Sequence, residues 1–225
     1  MDMSDLHEHL LRFYLRLNGF FTSGFIVHSS ESAKNKTEVD TIGVRFPNNG
    51  EPERQVKPEP WLDLSKHNVE FAICEAKTKP RFNRALYCDK RAIETILRWG
   101  GMFTPATLIK LVPKVQAILS PERKPSATIR RTEPYDGVVV RSLLFCPNLS
   151  GPDPRQPWFV GSDAVFPFIF SCLSPASEPP TCGRRYGAAQ WAELAPLVNF
   201  FKKWGDNVPP SYQAFVREMK KAYYL

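Results

Sequence analysis

The chain has 225 residues, 43% of them hydrophobic and 24% charged, with a net charge of +7; these values are typical of a soluble globular protein. The five cysteines include no Cys-x-x-Cys pair and all four histidines lie in the first 67 residues, which argues against a structural zinc site. The acidic N-terminus lacks the pattern of a secretory signal, and no run reaches the ~18 apolar residues of a membrane-spanning helix. We therefore expect a cytoplasmic protein with reduced thiols and no membrane partner.

In the first third of the chain, hydrophobic spacing predicts one helix followed by strands. A helix is expected over 4–18, capped by Ser4 or Asp5 and ended by Gly19. Strands are expected over 20–28, 38–46 and 69–78. The segment 47–66 between the last two is rich in Pro, Asn and Glu and is predicted to be an exposed insertion.

The rest of the chain is predicted to add helices and further strand. The predicted helices are 84–98, 105–119 (interrupted or kinked near Pro113), 188–203 and 211–223. The predicted strands are 137–146 and part of 158–172, and the predicted loops are 120–135, 147–157 and 173–187. This order predicts an α/β or α+β core with a mixed sheet flanked by helices. The second half of the chain either completes that sheet or forms an appendage.

Two acidic side chains interrupt segments that otherwise have the composition of buried strands. Asp40 lies in Val-Asp-Thr-Ile-Gly-Val-Arg-Phe, and Glu75 lies near the end of Val-Glu-Phe-Ala-Ile-Cys-Glu-Ala-Lys. A carboxylate inside an apolar strand needs a partner, and a metal ion is one good candidate. If the two strands are neighbours, Asp40 and Glu75 converge on one side of the sheet, because side chains alternate along a strand.

Lys77 completes a site suited to phosphodiester hydrolysis. Glu75 and Lys77 share a strand face with backbones roughly 6–7 Å apart, so both can reach one metal-bound water or phosphate. Mg²⁺ (or Mn²⁺) would be held by Asp40, Glu75 and the backbone carbonyl of Ala76, and Lys77 would orient the water or stabilise phosphoryl charge. Two further Glu-x-Lys triplets, 122–124 and 218–220, lie in charged or amphipathic segments. The alternative is an edge strand whose Glu75 and Lys77 face solvent.

These residues resemble the motif of the PD-(D/E)xK nuclease superfamily. Asp40 in its strand, Glu75-Ala76-Lys77 after a second apolar strand, and the preceding segment 13–21 match that pattern over residues 4–98, with Val39 in place of the motif's proline. The resemblance implies a restriction-endonuclease-like mixed sheet, with metal ligands Asp40 and Glu75 and catalytic Lys77. Many members also carry an acid on the first helix; Glu8 is the candidate here, and a surface glutamate near a helix N-terminus is the alternative.

The positive charge of the chain is concentrated directly after the second acidic strand. Residues 71–131 carry 13 basic and 4 acidic side chains, whereas residues 1–70 carry 8 basic and 11 acidic ones. The candidate phosphate-contacting residues are Lys79, Arg81, Arg84, Lys90 and Arg91. The alternative is an ordinary solvated basic surface.

The sequence therefore predicts a nuclease-like core over 1–104 and an extension over 105–225. We expect a Mg²⁺-dependent endonuclease or phosphodiesterase acting on DNA, with a protein partner or homodimer left open. The main alternative is a catalytically inactive nuclease-fold subunit that binds nucleic acid or protein within a larger complex. A third alternative is an unrelated interaction protein, in which Asp40 and Glu75 would lie far apart.

Overall fold

A computed structural model describes residues 2–28, 35–50, 56–120, 131–151, 159–174, 188–205 and 207–223. It confirms an α/β chain with a mixed six-stranded sheet flanked by helices. The strands are β1 (Phe21–His28), β2 (Asn35–Arg45), β3 (Val69–Ala76), β4 (Thr132–Tyr135), β5 (Val138–Cys146) and β6 (Val160–Gly161). The α-helices within the described residues are α1 (Met3–Leu17), α2 (Arg84–Cys88), α3 (Lys90–Trp99), α4 (Pro105–Leu119), α5 (Ser162–Leu173), α6 (Ala195–Lys203) and α7 (Tyr212–Tyr223).

The sheet combines an antiparallel half and a parallel half. Its order is β1-β2-β3-β5-β4, with β6 beside the far end of β5. β1, β2 and β3 form an antiparallel meander, and β5 then lies parallel to β3 after the crossover that carries α2, α3 and α4. The region 105–225 thus supplies β4, β5 and β6 to the same sheet as the first half.

Two hydrophobic cores cover the two faces of the sheet. On one face α2, α3 and α4 pack on Phe71 and Ile73 of β3. On the other face α1, α5, α6 and α7 pack on Ala72, Cys74 and Ala76 of the same strand. Because neighbouring residues of β3 point into opposite cores, the strand is buried on both faces, as expected for a central strand.

Helix α1 begins at Met3, one residue before the predicted start, and its capping residue precedes both predicted caps. Asp2, and not Ser4 or Asp5, is the N-cap: its side chain accepts hydrogen bonds from the backbone N–H of Ser4 and of Asp5, and the Asp5 side chain accepts from Asp2 N–H. This reciprocal pair is a capping box. It fixes the start of the helix whose inner face, including Leu6, Leu10 and Tyr14, is fully buried.

A β-bulge interrupts the pairing of β1 with β2. Ser23 lies opposite Ile42, but Phe25 lies opposite Val39, so Asp40 and Thr41 together face the single residue Gly24. An extra residue in one strand re-aims the side chains around it. The bulge is therefore the feature that sets the direction of Asp40, and strict alternation along 38–46 was the wrong expectation.

Several sequence-based boundaries are corrected by the structure. The predicted helix 84–98 is two helices, because Asp89 ends the first and caps the second through the N–H groups of Arg91 and Ala92. The predicted strand within 158–172 is almost entirely α5, since an apolar run of this kind fits a buried helix as well as a strand. Part of the predicted loop 120–135 is the short strand β4, and α4 continues through Pro113. The insertion 47–66 is not wholly exposed, because Leu62 is fully buried.

The remaining predicted loops fall largely outside the described residues, at 29–34, 121–130, 152–158 and 175–187. Among the helices of the described part, none has both the length and the apolar character needed to cross a bilayer.

Candidate functional site

The two acidic strands are neighbours, and their pairing brings the acids together. The β2–β3 register runs from Arg45 opposite Glu70 to Thr41 opposite Cys74. Asp40 and Glu75 are the next residues along this register, at the end where the two strands separate. The third alternative from the sequence required these two residues to lie far apart, and they do not.

Asp40 is held by the end of β3. Its Oδ2 accepts a hydrogen bond from the backbone N–H of Ala76 at 2.8 Å and another from the Lys77 ammonium at 3.0 Å. The residue is buried, with 6% of its surface exposed. A buried carboxylate with two charge-complementary donors is a fixed acceptor rather than a mobile surface group.

Glu75 is fully buried and only half satisfied. Its Oε2 accepts a hydrogen bond from the Asn83 N–H at 2.6 Å, whereas Oε1 lies 3.8 Å from Lys77 Nζ and has no hydrogen-bond partner within the described residues. Burial raises the pKa of Glu75 from 4.5 to about 7, against the opposing effects of Lys77 and the Asn83 N–H. An unpaired carboxylate oxygen in such a place is costly and requires an explanation.

Lys77 links the two carboxylates. Burial by itself would lower its pKa, but the neighbouring Glu75 and Asp40 outweigh that effect, and the pKa lies above its ordinary value of 10.5. The side chain is therefore an ammonium at neutral pH. About a third of it remains exposed, so its charge is presented at the surface of the site.

Glu8 on α1 belongs to the same electrostatic group. Burial, and next the nearby charge of Asp40, raise its pKa from 4.5 to about 7, while Arg12 acts in the opposite direction. Arg12 Nη2 contacts Glu8 Oε2 at 3.4 Å, one helical turn away. The resemblance placed an acid on the first helix near the motif, and Glu8 lies close enough to Asp40 and Lys77 to influence both.

These residues fit a hard divalent cation that keeps several waters. Mg²⁺ is bound by one or two carboxylates plus other oxygens, and the unpartnered Oε1 of Glu75 is an oxygen that such an ion would satisfy. The described residues contain no cluster of three or more His, Cys, Asp or Glu side chains suited to a metal. Of the three ligands predicted from the sequence, the structure brings the Asp40 and Glu75 carboxylates together at the end of β3, next to Ala76.

A basic groove begins at the lysine of the site. Residues 77–84 line a depression of about 520 Å³, and the Asn148 side chain donates to the carbonyl of one of them, Thr78, at 3.0 Å. Three of the five predicted phosphate-contacting residues, Lys79, Arg81 and Arg84, line this groove with Lys77 and are exposed. Lys90 and Arg91 are also exposed but lie in the first turn of α3, outside the groove lining.

Sequence reasoning missed three parts of the site: the bulge at Asp40, the Asn83 N–H that binds Glu75, and Arg12 beside Glu8. Gly24 was the available indication of the bulge, because an isolated glycine within a strand often marks one. Nothing in the sequence indicates that the N–H of residue 83 turns back onto residue 75.

Comparisons with known proteins add no assignment: no family model, no curated protein and no solved structure matches this chain.

Proposed function

We propose that the chain is a divalent-metal-dependent nuclease with a restriction-endonuclease-like core, cleaving phosphodiester bonds of DNA. One observation carries the proposal: Asp40 Oδ2 and Glu75 Oε1 converge on Lys77 Nζ, at 3.0 and 3.8 Å, where β2 and β3 separate. The resemblance to the PD-(D/E)xK superfamily gives the same three residues the same roles. A cytoplasmic location, inferred from the cysteine usage, is part of the proposal.

Each residue has a role that follows from its contacts. Asp40 fixes the Lys77 ammonium and the end of β3 in one arrangement. Lys77 stays protonated at neutral pH, so it stabilises negative charge on phosphoryl oxygens rather than accepting a proton. Glu75 has a pKa near neutrality and a free oxygen, which suits a group that accepts a proton from water or binds a cation.

A bound Mg²⁺ or Mn²⁺ would supply Lewis-acid polarisation of the phosphate and acidify a water molecule. Asp40 and Glu75, with the Ala76 carbonyl, are the residues that would hold it. Glu8 is a further acidic group beside them, and the nearby Arg12 guanidinium favours its ionised form.

The positive charge of the groove formed by 77–84 favours a polyanionic substrate. Four cationic side chains, from Lys77 to Arg84, line one continuous depression that starts at the site. Such contacts position a nucleic acid without reading its sequence. DNA is proposed as the substrate, bound so that its backbone passes from the groove to Lys77.

Cleavage of end-labelled linear DNA in Mg²⁺ or Mn²⁺ tests the proposal. Lys77→Met and Asp40→Asn are each expected to lower the rate by about 100-fold or more, as the loss of a charge-stabilising group does in other enzymes. Lys220→Met is the matched control, because Lys220 is exposed and ends the triplet Glu218-Met219-Lys220 on α7. Equal rates for the wild type and both site variants would reject the proposal.

The second candidate function is a binding subunit with the same fold and no catalysis. It is favoured by one observation: Lys77 and the Ala76 N–H already satisfy Asp40 Oδ2 without any ion. Calorimetric titration with Mn²⁺ separates the two functions. Metal binding that is lost in Glu75→Gln supports the nuclease, whereas DNA binding without any metal binding supports the subunit.

A further inference from the structure

A second cationic cavity lies on the opposite side of Asp40 from the basic groove. It has a volume of about 720 Å³ and is formed by α1, the start of β1 and residues 191–194. Two arginines line it, Arg12 and Arg16, which are four residues apart and so lie on one face of α1. Glu193 is the acidic residue in its lining, so the lining as a whole carries a positive charge.

The two arginines are arranged to bind an anion. Arg12 Nε is buried and has no hydrogen-bond partner within the described residues, and the contact of this guanidinium with Glu8 is long, at 3.4 Å. The Arg16 guanidinium lies over the Trp191 ring, with its Cζ 4.3 Å from the ring centroid. Stacking on a ring fixes the plane of a guanidinium while its N–H groups stay free to donate at the edge, which suits binding of phosphate oxygens.

The cavity adjoins the candidate active site through Gly24. A side chain at Gly24 would begin between the two, since its Cβ would lie 3.7 Å from the Asp40 carbonyl oxygen and 4.0 Å from Arg12 Nη2. Gly24 therefore places no side chain between the Asp40 backbone and the Arg12 guanidinium. The same glycine faces the bulge that sets the direction of Asp40.

The strand order places the cavity and the groove on different sides of the reaction centre. β1 lines the cavity, β2 carries Asp40, and the groove follows the end of β3. In the order of the strands Asp40 therefore lies between the two: the cavity runs along the start of β1, from Gly24 beside Asp40 to Phe21 opposite Val44, and the groove begins where β3 ends. A substrate bound only through the groove would leave the cavity, with its unpaired Arg12 N–H, without a purpose.

We propose that the cavity formed by Arg12 and Arg16 binds a backbone phosphate of the DNA strand on the far side of the scissile bond. This inference rests on the proposed function and deepens it, because a strand held on both sides of Asp40 and Lys77 is cut internally rather than from an end. Closed circular single-stranded DNA is then a substrate.

Equilibrium binding of a fluorescent single-stranded oligonucleotide, measured in EDTA, tests the cavity without any cleavage. Arg12→Gln/Arg16→Gln is expected to weaken binding by about tenfold and to lower the slope of log K against log salt by about one. The matched control is Arg217→Gln/Lys221→Gln, an exposed pair with the same spacing on α7, expected to bind within about twofold of the wild type.

A second variant keeps the charges and places a side chain into the cavity lining beside Asp40. Gly24→Leu is expected to weaken DNA binding and slow cleavage of circular DNA, with the circular dichroism spectrum unchanged. Titration with inorganic phosphate and with a mononucleotide separates a strand-binding cavity from a small-anion cavity. Saturable mononucleotide binding that needs Arg12 and Arg16, with no change in DNA affinity, would overturn the assignment.

The outcomes also separate this inference from the proposed function. If Arg12→Gln/Arg16→Gln cleaves and binds DNA as the wild type does, the phosphate-binding role of the cavity is rejected and the nuclease function is retained. If DNA binding depends on Arg12 and Arg16 but the wild type does not cleave DNA, the phosphate-binding role of the cavity is supported and the nuclease function is rejected. A wild type that neither binds nor cleaves DNA overturns both.

Discussion

Glu70 and Glu75 lie five residues apart on β3 and are both completely buried, yet their surroundings differ sharply. Glu70 is saturated: its Oε2 accepts two hydrogen bonds from Arg141, at 3.1 and 3.2 Å, and its Oε1 accepts one from the Ser65 N–H at 2.7 Å. Glu75 shares a lysine with Asp40 and leaves one oxygen unpaired. One strand therefore carries a fully hydrogen-bonded carboxylate at its start and an incompletely hydrogen-bonded one at its end.

The difference comes from what surrounds each end of the strand. At Glu70, β5 supplies Arg141, which also donates to the Asp63 carbonyl and so fastens the end of the 47–66 insertion to the sheet. At Glu75, β2 and β3 separate, and the neighbouring charges are Lys77, Asp40 and Glu38. Complete hydrogen bonding favours stability, and incomplete hydrogen bonding leaves a ligand position free.

Removing the saturated carboxylate should produce the largest change. Glu70→Ala leaves Arg141 buried without its counter-ion, and we expect a loss of about 3–5 kcal/mol in the free energy of unfolding. Urea denaturation followed by circular dichroism measures it. The double variant Glu70→Leu/Arg141→Met should recover part of the loss, because no unpaired charge then remains. A Glu70→Ala variant as stable as the wild type would contradict the conclusion that Glu70, unlike Glu75, stabilises the fold.

Removing the unsaturated carboxylate should have the opposite effect on stability. In the folded chain Glu75 has a pKa of about 7 against an ordinary 4.5, so unfolding releases a proton between these values and the wild type loses stability as pH rises through that window. Glu75→Gln removes this cost. We expect a gain of about 2 kcal/mol at pH 8 and almost none at pH 4, measured in EDTA.

Two controls accompany the Glu75 variant. Glu8→Gln removes a different carboxylate of raised pKa at the same site, so its gain should be smaller because Glu8 is less buried. Adding Mg²⁺ should stabilise the wild type and narrow its difference from Glu75→Gln. A Glu75→Gln variant less stable than the wild type at pH 8 would show that Glu75 is as well satisfied as Glu70.

The sequence singled out the residues that meet at the end of β3 better than it predicted their geometry. Asp40, Glu75 and Lys77 stand out because each interrupts or ends an apolar strand, and that pattern is local. Glu70 interrupts the same strand, but its partner Arg141 lies 71 positions away. No local rule distinguishes a glutamate that will meet an arginine from one that will not.

The errors in the predicted secondary structure also arise because local sequence does not report contacts between distant residues. The apolar run in 158–172 was expected to contain strand and is mainly the helix α5. Its less buried positions include the apolar residues Ala164, Pro167 and Phe170, so little of the polar face that would reveal a helical period remains. The direction of Asp40 depends on a bulge that exists only when β1 pairs with β2. Local composition located the elements, and the pairing of distant strands determined which side chains meet.

The smallest predicted effect concerns the single hydrogen bond that Glu75 does accept, from the Asn83 N–H at 2.6 Å. Asn83 has φ −59°, which proline adopts without strain, so Asn83→Pro removes this donor while keeping the backbone path. It also removes the Asn83 side-chain cap of α2, which accepts from the Ala85 N–H, and Asn83→Ala is the control for that loss.

Both Asn83 variants should lose about 1 kcal/mol from the missing cap at every pH. Asn83→Pro should lose about 1 kcal/mol more above pH 7, where Glu75 is ionised, and less near pH 5, where it is protonated. The difference between the two unfolding curves, followed from pH 5 to pH 8, therefore isolates the bond to Glu75. If the stability difference between the two variants does not change with pH, the Asn83 N–H does not stabilise the ionised Glu75 carboxylate. Glu75 would then lack the one hydrogen bond assigned to it here, and the comparison with Glu70 would have to be revised.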